Sequence, residues 1–524
     1  MAALLFGILH GWSIANPWNG QAVWWLQMLA IAWLVRALLH TESPKAAFAR
    51  SLLFATAWFA SSMWWLYTSM HTYGGLAAPL AALAVLALCG LLASFYALAC
   101  AAFVWLKCGR VDGGAGADTP LFDATLFAAL WLLAELARGT VMTGLPWSAA
   151  GYAHIDSPLV SAAPWVGVYG ISALAAFIAA LFVLTRSCGL KLLIVLVLSI
   201  KAYMMPIPQA LLDKPSQTSS PTSLTVRLLQ GNIPQNEKFD AKTGVALALA
   251  WYQERLLGAV QSGVDLVVTP ETGVPLLPQQ LPLAYWPKIN SAFTEQRKTA
   301  ALIGIPLGSL REGYTNSVIG LSNNSAVTPY RYDKHHLVPF GEFIPPLFRW
   351  FTDLMNIPLG DFNRGALAQP SFVHAGQRFA VNICFEDLFG EELAKRFADK
   401  AAAPTIFVNV SNMGWFGDGL AIDEHINISR MRAIEFDRPM LRATNTGATA
   451  VIDHKGVVTQ SLARSARGML NAELSGEMLS RTSLTPYARW ASQYGLQPLW
   501  VMACTGVIFA LVRKKYAPQS SSRL

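Results

Sequence analysis

The sequence predicts two folds in one chain, a polytopic α-helical membrane domain and an α/β domain held outside the membrane. Three observations carry this. Apolar residues make up 54% of the 524 positions and charged residues only 13%, about half the share of an ordinary soluble protein. Long apolar stretches crowd residues 1–205 and return only near the C-terminal end. Between them, residues 206–494 change to short apolar runs separated by turns, the pattern of strands and helices around a buried sheet.

In chain order, apolar segments run over about Leu4–Ala15, Ala22–Leu39, Ser51–Met70, Ala77–Leu106, Leu121–Val141, Val160–Leu184, Leu190–Met205 and Leu496–Val512. Seven spans are therefore expected in residues 1–205, and an eighth with a basic tail in 495–524. The first and last are short against the roughly 20 residues that cross a bilayer. The first lacks a basic flank and reads as a span rather than a cleaved signal peptide.

The connecting loops alternate in charge. Arg36, Lys45 and Arg50, then Lys107 and Arg110, then Arg186 and Lys191, and finally Arg513, Lys514, Lys515 and Arg523 mark one side. The loops around 16–20, 71–75 and 139–159 carry no Lys or Arg, and Lys201 is a mild exception. By the positive-inside rule the basic loops are cytoplasmic, so residues 206–494 lie outside. The net charge of +8 divides into +3 for residues 1–205, +1 for 206–494 and +4 for the tail. With no basic excess on the outer domain, nucleic-acid binding is excluded. Met63–Tyr67 and Gly144–Trp147 are aromatic outer segments, read as an interfacial belt that could also admit a lipid. Glu135 and Arg138, three apart, are expected to form a structural ion pair.

In the outer domain, Ser223–Gln230, Val264–Thr269, Ala300–Ile305, Thr315–Leu321, Phe379–Cys384, Thr405–Val410, Met440–Thr444 and Thr449–Ile452 read as strands, and Gly244–Gln261 and Asp423–Phe436 as helices. Cys384 is the one cysteine of this domain; Cys89, Cys100, Cys108, Cys188 and Cys504 fall in or beside apolar spans. A thiol without a local disulfide partner is either an inert core residue or a nucleophile. Glu271, Lys334 and Cys384 each stand where a strand stops, the place from which an α/β sheet presents groups to a cleft. Together they form a chemically complete set. A carboxylate can take a proton, a thiol can attack a carbonyl, and an ammonium can stabilise the oxyanion.

The stretches Thr269-Pro270-Glu271, Tyr332 through Glu342 and Ile383-Cys384-Phe385-Glu386-Asp387 resemble the three motifs of the nitrilase superfamily, in the order Glu, Lys, Cys. The match extends through Asn409–Asn412, Trp415–Gly417, Arg432-Ala433 and Arg442–Gly447. It implies a nitrilase-like α-β-β-α sandwich. Such a domain between a seventh and an eighth span resembles the apolipoprotein N-acyltransferase family, with further similarity at Gly231–Gln235, Leu145–Trp147 and Leu484–Arg489. Phe239 stands where that family often has Trp.

The resemblance implies a ping-pong acyl transfer in a bacterial inner membrane, with the α/β domain in the periplasm. Cys384 is the implied nucleophile, Glu271 the general base and Lys334 the oxyanion stabiliser. The donor is a phospholipid, typically phosphatidylethanolamine, and the acceptor the α-amino group of an S-diacylglyceryl apolipoprotein. Glu342 is assigned an orienting role; Phe385, Glu386, Phe239 and Trp415 are supporting or substrate-side residues. The apolar stretch from Phe343 to Leu359, with Phe348 and Trp350, reads as an interfacial lid. No nucleotide or redox motif is present, and His335, His336 and His425 lack ligand spacing, so no cofactor or metal is expected. Two alternatives stay open here: a membrane-anchored hydrolase that passes the acyl group to water, and a transporter or lipid-binding scaffold.

Overall fold

The computed structural model describes residues 1–107, 120–204, 223–295, 298–309, 311–323, 329–344 and 362–516. Most of the expected lid, including Phe348 and Trp350, lies outside these residues, as does Cys108. The chain forms two compact units, one of residues 1–64, 82–206 and 496–524, the other of 65–81 and 207–495.

Every apolar segment of the first unit becomes a helix: Ala2–Trp12, Trp24–Leu39, Pro44–Met63, Ala78–Leu106, Pro120–Thr140, Ala163–Leu184, Cys188–Met204 and Gln497–Tyr516. Among the described residues three are long and apolar enough to cross a membrane, or up to four when a bent pair counts as one span. The 16 residues of Trp24–Leu39 reach only about 24 Å, short of a ~30 Å hydrocarbon core. The unit is thus a helical membrane domain in which the expected count of eight spans is not established. The first helix meets the third through Gly7 and Gly11. A Cβ at either would come within 2.1 Å of the Phe54 carbonyl or of Ser61 Oγ, so this small-xxx-small spacing permits backbone-close packing.

Glu135 and Arg138 do pair, at 3.1 Å and fully buried. Arg138 also donates to the carbonyls of Leu145 and Trp147, and Glu135 Oε1 accepts the Ala150 N–H at 3.0 Å. The pair therefore holds the 145–150 loop by its backbone.

The second unit contains two six-stranded sheets. Its strands are β1 Ser223–Gln230, β2 Leu266–Val268, β3 Ala300–Ser309, β4 Gly313–Leu321, β5 Tyr330–Asp333, β6 Phe372–His374, β7 Gln377–Ile383, β8 Ile406–Ser411, β9 Met440–Thr444, β10 Ala450–Ile452, β11 Val458–Ser461 and β12 Gly468–Ser475. The orders are β12-β1-β2-β3-β4-β5 and β11-β10-β9-β8-β7-β6. Each sheet has a parallel centre, β1-β2-β3 or β7-β8-β9, and antiparallel flanks. β12 returns from the far end of the unit to pair with β1; the other flanks follow from short connections, whereas parallel pairs need crossovers. Ala375 and Gly376, both at positive φ, form the two-residue turn joining β6 to β7, a geometry matched to strand twist.

Helices Gly244–Ser262 and Tyr285–Thr294 cover the first sheet, burying Tyr252, Leu256, Ile289 and Phe293 against Val267, Ala301 and Ile303. Segments 393–397, Leu420–Phe436 and Pro486–Tyr494 cover the second, over Ala380, Phe407 and Met440. This is the expected α-β-β-α sandwich. The third apolar segment departs from its expected end at Met70, because its helix stops at Met63. Residues 65–81 belong instead to the sandwich unit, where the Trp65 indole N–H finds Glu424 Oε2 at 3.1 Å. An aromatic donor that gains a buried acceptor has reason to leave an apolar span.

Candidate active site

The C-terminal ends of β2, β7, β8 and β9 deliver residues to one place, as parallel α/β sheets do. Glu271 follows β2, Lys334 follows β5, and Cys384 is the first residue after β7. All three are buried, at 8%, 1% and 9% exposure. Lys334 Nζ lies 3.1 Å from Glu271 Oε1 and 2.9 Å from Glu342 Oε1. Asn316, in the middle of β4, donates Nδ2 to the same two oxygens at 2.7 and 2.8 Å. The remaining oxygens accept backbone N–H groups, Glu271 Oε2 from Asn412 at 3.0 Å and Glu342 Oε2 from Val338 at 2.9 Å.

Burial alone would lower the Lys334 ammonium, but Glu271 and Glu342 outweigh it and hold the group charged to well above the ordinary lysine range. Burial pushes the Cys384 thiol up, Glu271 and Glu342 push the same way, and Lys334 only partly opposes them. The resting site therefore holds a thiol rather than a thiolate.

Cys384 has φ 52, the left-handed region that L-residues with a side chain seldom occupy. Two side chains grip its carbonyl: Asn409 Nδ2 at 3.1 Å and His425 Nε2 at 3.3 Å. The helix-facing side of the second sheet explains them. With period two, Ala380, Phe407 and Met440 make its apolar end, and Asn382, Asn409 and Arg442 its polar end. Asp387 completes this fully buried cluster, meeting His425 Nε2 at 2.9 Å and Arg442 Nη1 at 3.4 Å and accepting from Ser429. Burial would raise Asp387, yet His425, Arg442 and Ser429 hold it below the ordinary carboxylate range.

Glu386 is buried rather than solvated. Its Oε1 accepts the N–H groups of His335 at 2.7 Å and His336 at 3.1 Å, and its Oε2 accepts Tyr332 Oη–H at 2.8 Å and Ile383 N–H at 2.7 Å. It thereby ties the loop carrying Lys334 to the strand carrying Cys384. The Phe385 ring packs beside His336 and Phe389, with centroids 5.7 and 5.3 Å away. Phe239 is half-buried with Lys238 Nζ 5.8 Å from its ring centre, and Trp415 meets Tyr73 edge to face at 5.8 Å. Asn316 and Asn412 were not among the residues singled out from the sequence for the site. The consecutive polar residues Thr315-Asn316-Ser317 inside an apolar strand were the available signal for the first.

Lys334→Met is expected to leave two carboxylates buried without their cation, costing about 3 to 5 kcal/mol. Because the ammonium's folded value is raised, its contribution is complete below the ordinary lysine range and disappears only as pH climbs through the raised value. A thermal melt at neutral pH checks this. The double variant Lys334→Met with Glu342→Gln should melt above Lys334→Met alone, and equal melting would show that carboxylate repulsion is not the cause.

The Apolipoprotein N-acyltransferase N-terminal domain family matches residues 7–181 and the Carbon-nitrogen hydrolase family residues 225–483. The chain is 52% identical over 509 residues to an apolipoprotein N-acyltransferase of Verminephrobacter eiseniae, covering 94% of this chain and 92% of the relative. It is 42% identical over 519 residues to one of Bordetella bronchiseptica, covering 94% and 93%. A solved amidase of the nitrilase superfamily from Nesterenkonia aligns with TM-score 0.38 and 15% identity, covering 55% of this chain and 99% of that one. Both resemblances read from the sequence are borne out. Matched across nearly its whole length, this chain is an acyltransferase and belongs to the apolipoprotein N-acyltransferase family.

Proposed function

We propose that the site moves an acyl chain from the sn-1 ester of a phospholipid, with phosphatidylethanolamine as donor, through a Cys384 thioester to the α-amino group of an S-diacylglyceryl apolipoprotein. The observation that carries the reading is Lys334 bridging two carboxylates within electrostatic reach of Cys384. Glu271 takes the thiol proton as sulfur attacks the ester carbonyl. The ester C–O bond breaks, and that proton leaves on the lysophospholipid alcohol. In the second half-reaction the amine attacks the thioester carbonyl, Glu271 receives a proton from nitrogen, and the departing sulfur takes it back. Lys334 uses two of its donors on Glu271 and Glu342, so a third is available to the oxyanion. Glu342 orients Lys334, and Glu386 orients the strand ends on either side.

The protein is proposed to lie in a bacterial inner membrane, and the loop charges support residues 206–494 on its outer, periplasmic side. Phe239 and Trp415 are proposed to face substrate. The test is intact mass after incubation with phosphatidylethanolamine. An acyl-sized increase that discharges onto an added diacylglyceryl lipopeptide, with matching N-acylated product, is the expected result. Discharge to water at the same rate without the lipopeptide would make the protein a hydrolase and refute the transfer.

A further inference from the structure

A second lysine is buried beside the first. Lys238 is 2% exposed and, among the described residues, has no ion-pair partner. Its Nζ donates to the Glu271 carbonyl at 3.1 Å and to Thr272 Oγ1 at 2.6 Å. The two bonds clasp the peptide that joins Glu271 to Thr272. Thr272 has φ 47, a conformation that costs a β-branched residue energy and persists only where its surroundings impose it. The opposite side of the turn presses on β3. A Cβ at Gly304 would lie 2.2 Å from the Pro270 carbonyl and 3.0 Å from Thr272 N, so that side is fixed by close backbone approach. The turn carrying Glu271 is wedged between a glycine and an ammonium.

We propose that Lys238 is a positioning residue for Glu271, holding the strained Glu271–Thr272 peptide through two charge-assisted hydrogen bonds so that the carboxylate meets Lys334 and Asn412. The inference rests on the reading of Glu271 as the base. A bond from an ammonium is roughly twice as strong as one between neutral groups, so the clasp depends on Lys238 remaining protonated. Burial, the largest influence, pushes it down to about 8. The titratable groups acting on it are the Glu271 carboxylate, from the turn after β2, and Cys384, from the end of β7; the carboxylate, and the sulfur once ionised, favour the charged form without overcoming burial. The clasp is accordingly complete at neutral pH and loosens as pH rises through about 8.

The experiment measures thioester formation by the full-length protein with phosphatidylethanolamine in mixed micelles, from pH 6.5 to 10, alongside thermal melts. Lys238→Met should lower the acylation rate at pH 7 by about 10- to 100-fold, the scale of a misplaced catalytic group. Its KM for the lipid should stay within about twofold, because substrate contacts are untouched. The wild type should lose rate as pH passes about 8; Lys238→Arg should restore most activity and carry that limb to higher pH, and Lys238→Met should show no such limb. A merely structural lysine would leave the limb where it is. Thr272→Val deletes one acceptor while keeping the shape, so it should move the limb to lower pH even if Lys238→Met fails to fold. Wild-type rates in Lys238→Met, or a limb unmoved by both Lys238→Arg and Thr272→Val, would overturn the proposal. Glu271→Gln separates the two failures. If it still forms thioester, the base reading itself falls; if it is inactive while Lys238→Met is not, only the clasp falls.

Discussion

A Cys384→Ala protein is expected to acquire no acyl adduct and to lose more than about 10⁴-fold in turnover, because Cys384 is the one thiol of residues 206–494 able to form the thioester between half-reactions. The same position makes a separate prediction about stability. Alanine keeps a side chain at φ 52, whereas glycine occupies that region freely, so Cys384→Gly should be more stable than Cys384→Ala by about 1 kcal/mol. Equal melting temperatures would mean that the turn after β7 holds no strain. The pH dependence of the thiol follows from its environment. Burial and the neighbouring carboxylates raise it above the ordinary cysteine range, so alkylation of the free enzyme by iodoacetamide should stay slow through pH 8. Fast labelling with an inflection below pH 7 would reveal a standing thiolate and remove the need for a base.

The sequence exposes the reacting atoms better than the groups that aim them. Glu271, Lys334 and Cys384 stand out because an apolar strand ends and a reactive residue begins, a change visible along the chain. Asn316 bonds both carboxylates but sits mid-strand, where the polar run Thr315-Asn316-Ser317 marks the place without saying which of the three side chains reaches the site. Asn412 acts on Glu271 through its main-chain N–H, which no side-chain pattern encodes. For Glu386 the resemblance implies a supporting role without saying how, and only the fold shows its four donors converging from β5, the loop after it and β7. The central strands were legible because β1, β8 and β9 are short, β-branched or aliphatic-rich segments between turns, even though Arg227, Asn409 and Arg442 interrupt them. The edge strands β6, β11 and β12 are short or partly exposed, β11 at three of its four residues and β12 at every other one, and carry a weaker apolar signal. The end of the third apolar segment failed for a further reason. Met63–Met70 is aromatic enough for a span, yet residues 65–81 belong to the sandwich unit, where the Trp65 indole N–H meets Glu424, a tertiary preference that hydropathy cannot register.

Glu271→Gln is the second large effect, and its logic lies in the partners of the carboxylate. Lys334 Nζ, Asn316 Nδ2 and the Asn412 N–H all donate to it. Glutamine offers one acceptor oxygen and one NH₂, so it must set a donor against at least one donor already present. It also removes the proton acceptor for the thiol. A loss of about 10³- to 10⁴-fold in thioester formation is expected, at the upper end of general-base contributions. Glu342 is the internal control. It shares the same lysine and the same asparagine and differs in its third donor, Val338 rather than Asn412. If its work is to orient Lys334, Glu342→Gln should cost only about 10- to 100-fold and should slow both half-reactions alike, since the oxyanion forms in each. Glu271→Gln should block the first so completely that no thioester accumulates. The reverse ranking, with Glu342→Gln unable to form thioester and Glu271→Gln retaining it, would transfer the base to the other carboxylate of the pair.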